Sequence, residues 1–246
     1  MIFDEKVYRI GKKRGIWMKQ KLRQLAIKKI DQMIQASGSQ IDVESVPIID
    51  EFFTLYIEES QLLQRIYHAY RRGLLSLDLH HQQEVITYKR KDDTHIIIFS
   101  NKQFALTEAF FVQLLTFAIE ITREVLPLGT VVELNPMYFK PDHQAKEPSK
   151  VVITERFVAP AGYNSYFPYG GIIYPIGEMK KGAKVHFTDP LIHKIIHRGY
   201  QDEVEDAFVL LMKEELIVDN KIYSIEFSTD DMQRIEKDVG QEVGEK

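Results

Sequence analysis

The sequence predicts an α+β protein: N-terminal helices with a β-hairpin, then a sheet-rich C-terminal domain flanked by helices. Three observations carry this. Apolar residues recur at three- and four-residue steps through 18–37, 47–75 and 107–125, the period of amphipathic helices. Between 84 and 100, and again in short runs from 129 to 188, β-branched and aromatic residues take over, bounded by Gly, Pro and polar turns. The second change of texture falls at "LPLG", 126–129, and divides the chain into a helical and hairpin region, 1–125, and a sheet-rich region, 126–246, of one compact unit.

The elements come in order. "MKQKLRQLAIKKIDQMIQAS", 18–37, sets Met18, Leu22, Leu25, Ile30, Met33 and Ile34 at helical steps, and "GSQ" breaks it. Its outer face is basic, with Lys19, Lys21, Arg23, Lys28 and Lys29; with few aromatics beside them, these read as a solvated face rather than a membrane or nucleic-acid surface. "KKRGIW" before Met18 suits the codons of a ribosome-binding site, so translation is open between Met1 and Met18, and with it whether residues 1–17 are native. The second helical stretch, about 47 to 75, carries Phe52, Leu55, Tyr56, Leu62, Leu63, Ile66, Tyr67 and Tyr70, with a break near Glu59–Ser60. Gly73 is its C-terminal cap, and Arg71 and Arg72 complement the helix dipole.

"EVITYKRKDDTHIIIFS", 84–100, is a hairpin turning at "KDD", and 107–125 is a helix with Thr107 as candidate N-cap. Strands are expected at 129–135, 150–158, 170–178 and 184–188, with the proline-rich 136–149 as an exposed loop. "DPLIHKIIHRGY" is a short helix or turn and 202–217 an acidic-capped helix. A last strand at 221–227, a short helix "TDDMQRIEKDV" and a frayed "GQEVGEK" complete the chain.

The totals exclude several classes. A net charge of -4 over 246 residues creates no field for nucleic acid or anionic lipid, and 44% hydrophobic residues is ordinary for a soluble globular protein. With no cysteine there is no disulfide, thiolate zinc site or thiol catalysis, which fits the cytoplasm. No apolar run reaches the ~20 residues of a membrane span, and the N-terminus lacks the apolar core of a secretory signal.

Three stretches invite a chemical reading. "HKIIH" puts His193 and His197 four apart, with His186 upstream, but "KII" supplies no general base between them. The cluster Asp202, Glu203, Glu205 and Asp206 opens a helix, where carboxylates complement the dipole without any metal. "YGGIIYPIGE", 169–178, has glycines before an aliphatic strand and no helix after it, so it is strand and turn rather than a phosphate loop. No catalytic residue, cofactor site or metal site is expected, and the chain is not read as an enzyme.

"LPLGTVVEL" at 126–134, "YGGIIYPIG" at 169–177 and "FTDPLIHKIIHRGYQDEVE" at 187–205, in that order, resemble the domain-of-unknown-function family 4176 of Gram-positive bacteria. The matching positions are Pro127, Gly129, Arg156, Tyr169, Gly171, Tyr174, Pro175, Gly177, Phe187, Ile192, Gly199, Tyr200, Asp202, Glu203 and Glu205. Two loops depart from the family pattern: the 136–149 insert is longer, and "PIGE" stands where P-E-G is common. The resemblance implies a place beside type VII secretion genes and LXG-type toxins. The first half is similar to half of the mycobacterial EspG-type secretion chaperones.

The function this resemblance implies is that of a cytoplasmic chaperone or targeting adaptor that binds a secreted helical LXG toxin. The alternatives are an immunity protein neutralising a toxin of the same locus, or a small metal- or nucleotide-dependent enzyme. A protein partner is expected, with no nucleic acid and no membrane insertion. Tyr163, Tyr166, Phe167 and Tyr169, in the loop-like "PAGYNSYFPYG", are the candidate partner-binding anchors, because Tyr and Phe combine large contact area with few rotamers.

Overall fold

The computed structural model describes residues 20–38, 41–137, 149–179 and 184–244. The start at Met18 and nearly all of the 136–149 insert lie outside them. The chain divides into two compact units, Met1–Arg123 and Glu124–Lys246, each with a sheet and a core of its own. The class is α+β.

In the first unit, helix α1 (20–36) buries Leu22, Ala26, Ile30 and Ile34. A short 3-10 turn leads into α2 (Val46–Tyr56), and α3 (Ser60–Arg71) follows a non-helical Glu59 at the expected break. Gly73, at φ +67, ends α3 with Leu74 N–H donating to Ala69 C=O, a left-handed closure that only Gly enters without cost. α4 (Glu108–Thr122) is apolar on nearly every side and buries ten residues from Phe110 to Ile121, packed on α3 and the sheet. Thr107 sits at the N-cap position, but its side chain makes no capping bond.

The expected hairpin is half of a larger sheet. Strands β1 (Ser76–His81), β2 (Glu84–Lys91), β3 (Thr94–Phe99) and β4 (Lys102–Thr107) run antiparallel in sequence order. Two-residue turns join them at Gln82-Gln83, Asp92-Asp93 and Ser100-Asn101, with Gln82, Asp92, Ser100 and Asn101 at positive φ. Such turns favour Asn-Gly or Asp-Gly, so Gln-Gln and Ser-Asn hide the two outer turns. β1, "SLDLHH", buries only Leu79 and lacks a β-rich composition.

In the second unit, β5 (Val131–Leu134), β6 (Lys150–Val158), β7 (Ser165–Tyr174), β8 (Val185–Phe187), β9 (Ile192–His197) and β10 (Tyr223–Ser224) form one sheet in the order β10-β7-β6-β5-β9, with β8 also on β7. All pairs are antiparallel except β10 with β7. Leu126, Val132, Leu134, Val151, Ile153, Tyr169 and Phe187 make the core.

Several expectations change here. β7 begins at Ser165, inside "PAGYNSYFPYG", because Tyr166 and Tyr169 gain burial by extending the strand despite Pro168 and two glycines. "IHKIIH" is strand β9 rather than helix or turn, since its isoleucines complete the edge beside β5. The expected strand at 221–227 shrinks to β10 and a 3-10 turn. Helix α5 (Glu203–Lys213) runs into a π-helical turn, Glu214–Asp219, and α6 (Thr229–Gly244) continues through most of the segment expected to fray.

Gly170 and Gly171 are close-approach residues. A Cβ on Gly171 would stand 2.4 Å from Val152 C=O, and one on Gly170 would stand 2.9 Å from the Glu155 carboxylate. The role of "YGG" is therefore to let β7 lie close against the β6 backbone at Val152 and the Glu155 side chain.

Candidate partner-binding surface

α5 starts from a polar cap. The Asp202 carboxylate accepts from Val204 N–H and Glu205 N–H, both at 3.0 Å, with Glu203, Glu205 and Asp206 in the first turn. The acidic cluster is thus a helix start. Among the described residues no group of three or more His, Asp or Glu is placed to hold a metal ion.

A second polar contact fixes the helix to the sheet. Both Arg156 terminal nitrogens donate to Glu205, Nη2 to Oε2 at 3.0 Å and Nη1 to Oε1. The Arg156 side chain on β6 is 4% exposed, and its guanidinium lies 5.3 Å from the Phe208 ring centroid. Leu210 and Lys213 complete the buried side of α5.

The outer side of α5 is unusual. "EVEDAFVLLMK" carries more apolar residues than the fold covers: Val204 is 76% exposed, Phe208 43% and Leu211 59%, with Ala207 exposed between them. Their spacing, i, i+3, i+4, i+7, is that of one helical face, and it normally turns inward. Two turns of apolar stripe therefore face solvent, an arrangement that marks interaction sites. Glu203, Glu214 and Glu215, all exposed, precede and follow it in sequence, while the one lysine of the helix, Lys213, is buried.

Just upstream, β9 is the end strand of the sheet, with Ile195, Ile196 and then Tyr200 exposed. Register shifts against β5, together with Lys194, His193 and His197, are the usual protection of an edge against strand pairing. The stripe on α5 carries no such protection.

The anchors expected from sequence separate. Tyr166 and Tyr169 are in the core, where no partner reaches them. Tyr169 O–H donates to Asp189 Oδ1 at 3.1 Å and accepts from Leu126 N–H at 3.2 Å. Phe167, half-buried, lies against the His186 ring, and Tyr163, half-buried, lies under the Arg234 guanidinium. The loop context that suggested them is largely strand, and β7 is covered on both faces along 165–171, so Tyr166 and Tyr169, three apart and on opposite faces, are both buried. The α5 stripe escapes a sequence reading because its apolar residues look like core; two overlapping faces on one helix were the available signal.

Tyr56 and His95 are two of the buried titratable residues of the first unit. Burial and the bond to Glu84, 2.6 Å away, push the Tyr56 hydroxyl up to about 12, far from neutral proton transfer. His95 is fully buried in an aromatic box, stacked on Phe111 at 4.5 Å and hydrogen-bonded through Nδ1 to Tyr88 O–H at 3.0 Å. Its Nε2 has no hydrogen-bond partner, and the Glu108 carboxylate stands 4.0 Å off. With no exposed atom, this imidazole offers nothing to a substrate.

Burial lowers the His95 pKa from its ordinary 6.5, against the opposing pull of Glu108. Below 6.5 the unfolded chain therefore binds a proton the folded one refuses, and stability falls as pH drops from there toward the depressed folded value. His68, also lowered by burial, acts in the same direction. Urea unfolding of the first unit is expected to weaken between about pH 7.5 and about pH 5.5, with a shallower slope in His95→Phe. Equal slopes in the two proteins would remove His95 as the cause.

Residues 125–208 match the family model described as Domain of unknown function (DUF4176). No curated protein and no solved structure matches the chain. The residues that carried the resemblance have structural duties: Gly129 and Gly177 sit at positive φ, Tyr169 and Phe187 fill the core, Asp202 caps α5, and Arg156 with Glu205 clamps it. No helix among the described residues is long and apolar enough to cross a membrane.

Proposed function

We propose that the chain is a cytoplasmic protein-binding module, a chaperone or targeting adaptor that holds an LXG-type toxin for type VII secretion. The observation that supports binding is the uncovered stripe Val204, Ala207, Phe208 and Leu211 on α5, an apolar face at helical spacing that begins inside the family-matched region. The export role draws on the resemblance of that region to family 4176, which accompanies such toxins. A chain with this task needs no catalytic group: it covers a secreted protein's apolar helix until export.

The test is affinity capture of the tagged full chain from its host, with bound proteins identified by mass spectrometry, beside the Leu211→Glu variant. Capture of an LXG protein, reduced at least tenfold by Leu211→Glu, is the expected result. Leu211 is exposed, so its substitution is expected to change stability by only about 0.5 kcal/mol. Truncating the captured toxin then distinguishes roles: an adaptor keeps the helical N-terminal part, whereas an immunity protein keeps the C-terminal toxic part. Failure to recover any LXG protein, under conditions where a known toxin complex survives, overturns the export role.

A further inference from the structure

We infer that the α5 stripe receives a single amphipathic helix of another protein, whose apolar residues are flanked by lysine or arginine. This deepens the binding role just proposed and rests on it. Val204, Ala207, Phe208 and Leu211 make a straight ridge two turns long, which suits the i, i+3, i+4, i+7 face of a second helix.

Charge selects the partner. Glu203 flanks the ridge near its start, and Glu214 and Glu215 close its far end, all exposed. Glu205 and Asp206 add negative charge to the first turn, although Glu205 is engaged by Arg156 and Asp206 by Gln201. No exposed Lys or Arg lies within 203–215. Acidic side chains at both ends of an apolar ridge favour a basic-flanked helix and repel an acidic one. It equally disfavours a second copy of this chain, because two α5 ridges facing each other would juxtapose their own glutamates.

The pairing is small, so a moderate affinity with marked salt dependence is expected. The probes are two synthetic peptides of about five helical turns, identical in their leucine stripe, one flanked by lysine and the other by glutamate. Titrated into the full chain and read by fluorescence anisotropy, the lysine peptide is expected to bind at least tenfold tighter than the glutamate peptide. Leu211→Glu and Val204→Glu are each expected to weaken it tenfold or more, and added salt to weaken it further.

The double reversal Glu214→Lys with Glu215→Lys, at exposed positions, is expected to invert the peptide preference while circular dichroism stays unchanged. Equal binding of both peptides, or indifference to Leu211→Glu, overturns the inference. So does a concentration-dependent dimer of the free chain that Leu211→Glu disperses, since the occupant is then a second copy. The two levels remain separable. If Leu211→Glu abolishes capture of the natural partner but neither peptide discriminates, the helix chemistry fails and the binding role stands. If natural capture is unaffected by Leu211→Glu, the α5 site itself fails.

Discussion

Glu205→Ala is expected to destabilise the second unit by about 3–5 kcal/mol, because it leaves the Arg156 guanidinium buried without its partner. The cost comes less from the lost attraction than from the stranded charge: Arg156 Nε already lacks a hydrogen bond, and only the Phe208 ring would remain against the group. Replacing both ends tests the mechanism. Arg156→Met with Glu205→Leu removes the charge as well as the bond, and is expected to recover most of the loss. Urea unfolding with hydrogen exchange read over β6 and α5 measures both proteins. A double variant as unstable as Glu205→Ala would show that the clamp geometry, not charge burial, sets the cost.

Gly199→Ala is expected to cost about 3 kcal/mol, through overlap rather than backbone conformation. A Cβ at this position would lie 1.9 Å from Leu128 C=O and 2.9 Å from Thr130 N. Neither atom can swing aside. Leu128 belongs to the turn "LPLG", and Thr130 is tied to it by N–H and O–H bonds to Pro127 C=O, while Gly199 N–H donates to Thr130 Oγ1 at 3.0 Å. The turn entering β5 and the segment leaving β9 thus pack backbone against backbone and are tied through the Thr130 hydroxyl. Thermal unfolding would show the loss, and a midpoint equal to the parent's would mean that the contact opens freely.

Much of this was legible from residues alone. The α2–α3 break, the capped start of α5 and four strands of the second unit come from period and punctuation. Glycines in "YGG" and "HRGY" carried no sign of the close approaches they serve, since the approaching atoms are distant in sequence. β1 and β4 were hidden by turns without glycine, and β9 by scattered isoleucines, only Ile195 and Ile196 adjacent, that suit helix or strand equally. The surface was the least legible part. Aromatics in "PAGYNSYFPYG" looked available, yet burial claimed Tyr166 and Tyr169, while the residues of α5 that looked like core stayed outside.

The two sheets also differ in when they can exist. The first joins only consecutive strands through two-residue turns, so each pair can close as soon as it leaves the ribosome. The second places β9 beside β5 and runs the late β10 alongside the start of β7, where Asp231 of α6 also accepts from Asn164 N–H and Ser165 O–H. Its sheet cannot be finished until Tyr223 to Asp231 have been synthesised. A chain cut short before them would keep a foldable first half and an open, adhesive second one, a natural substrate for proteolytic clearance.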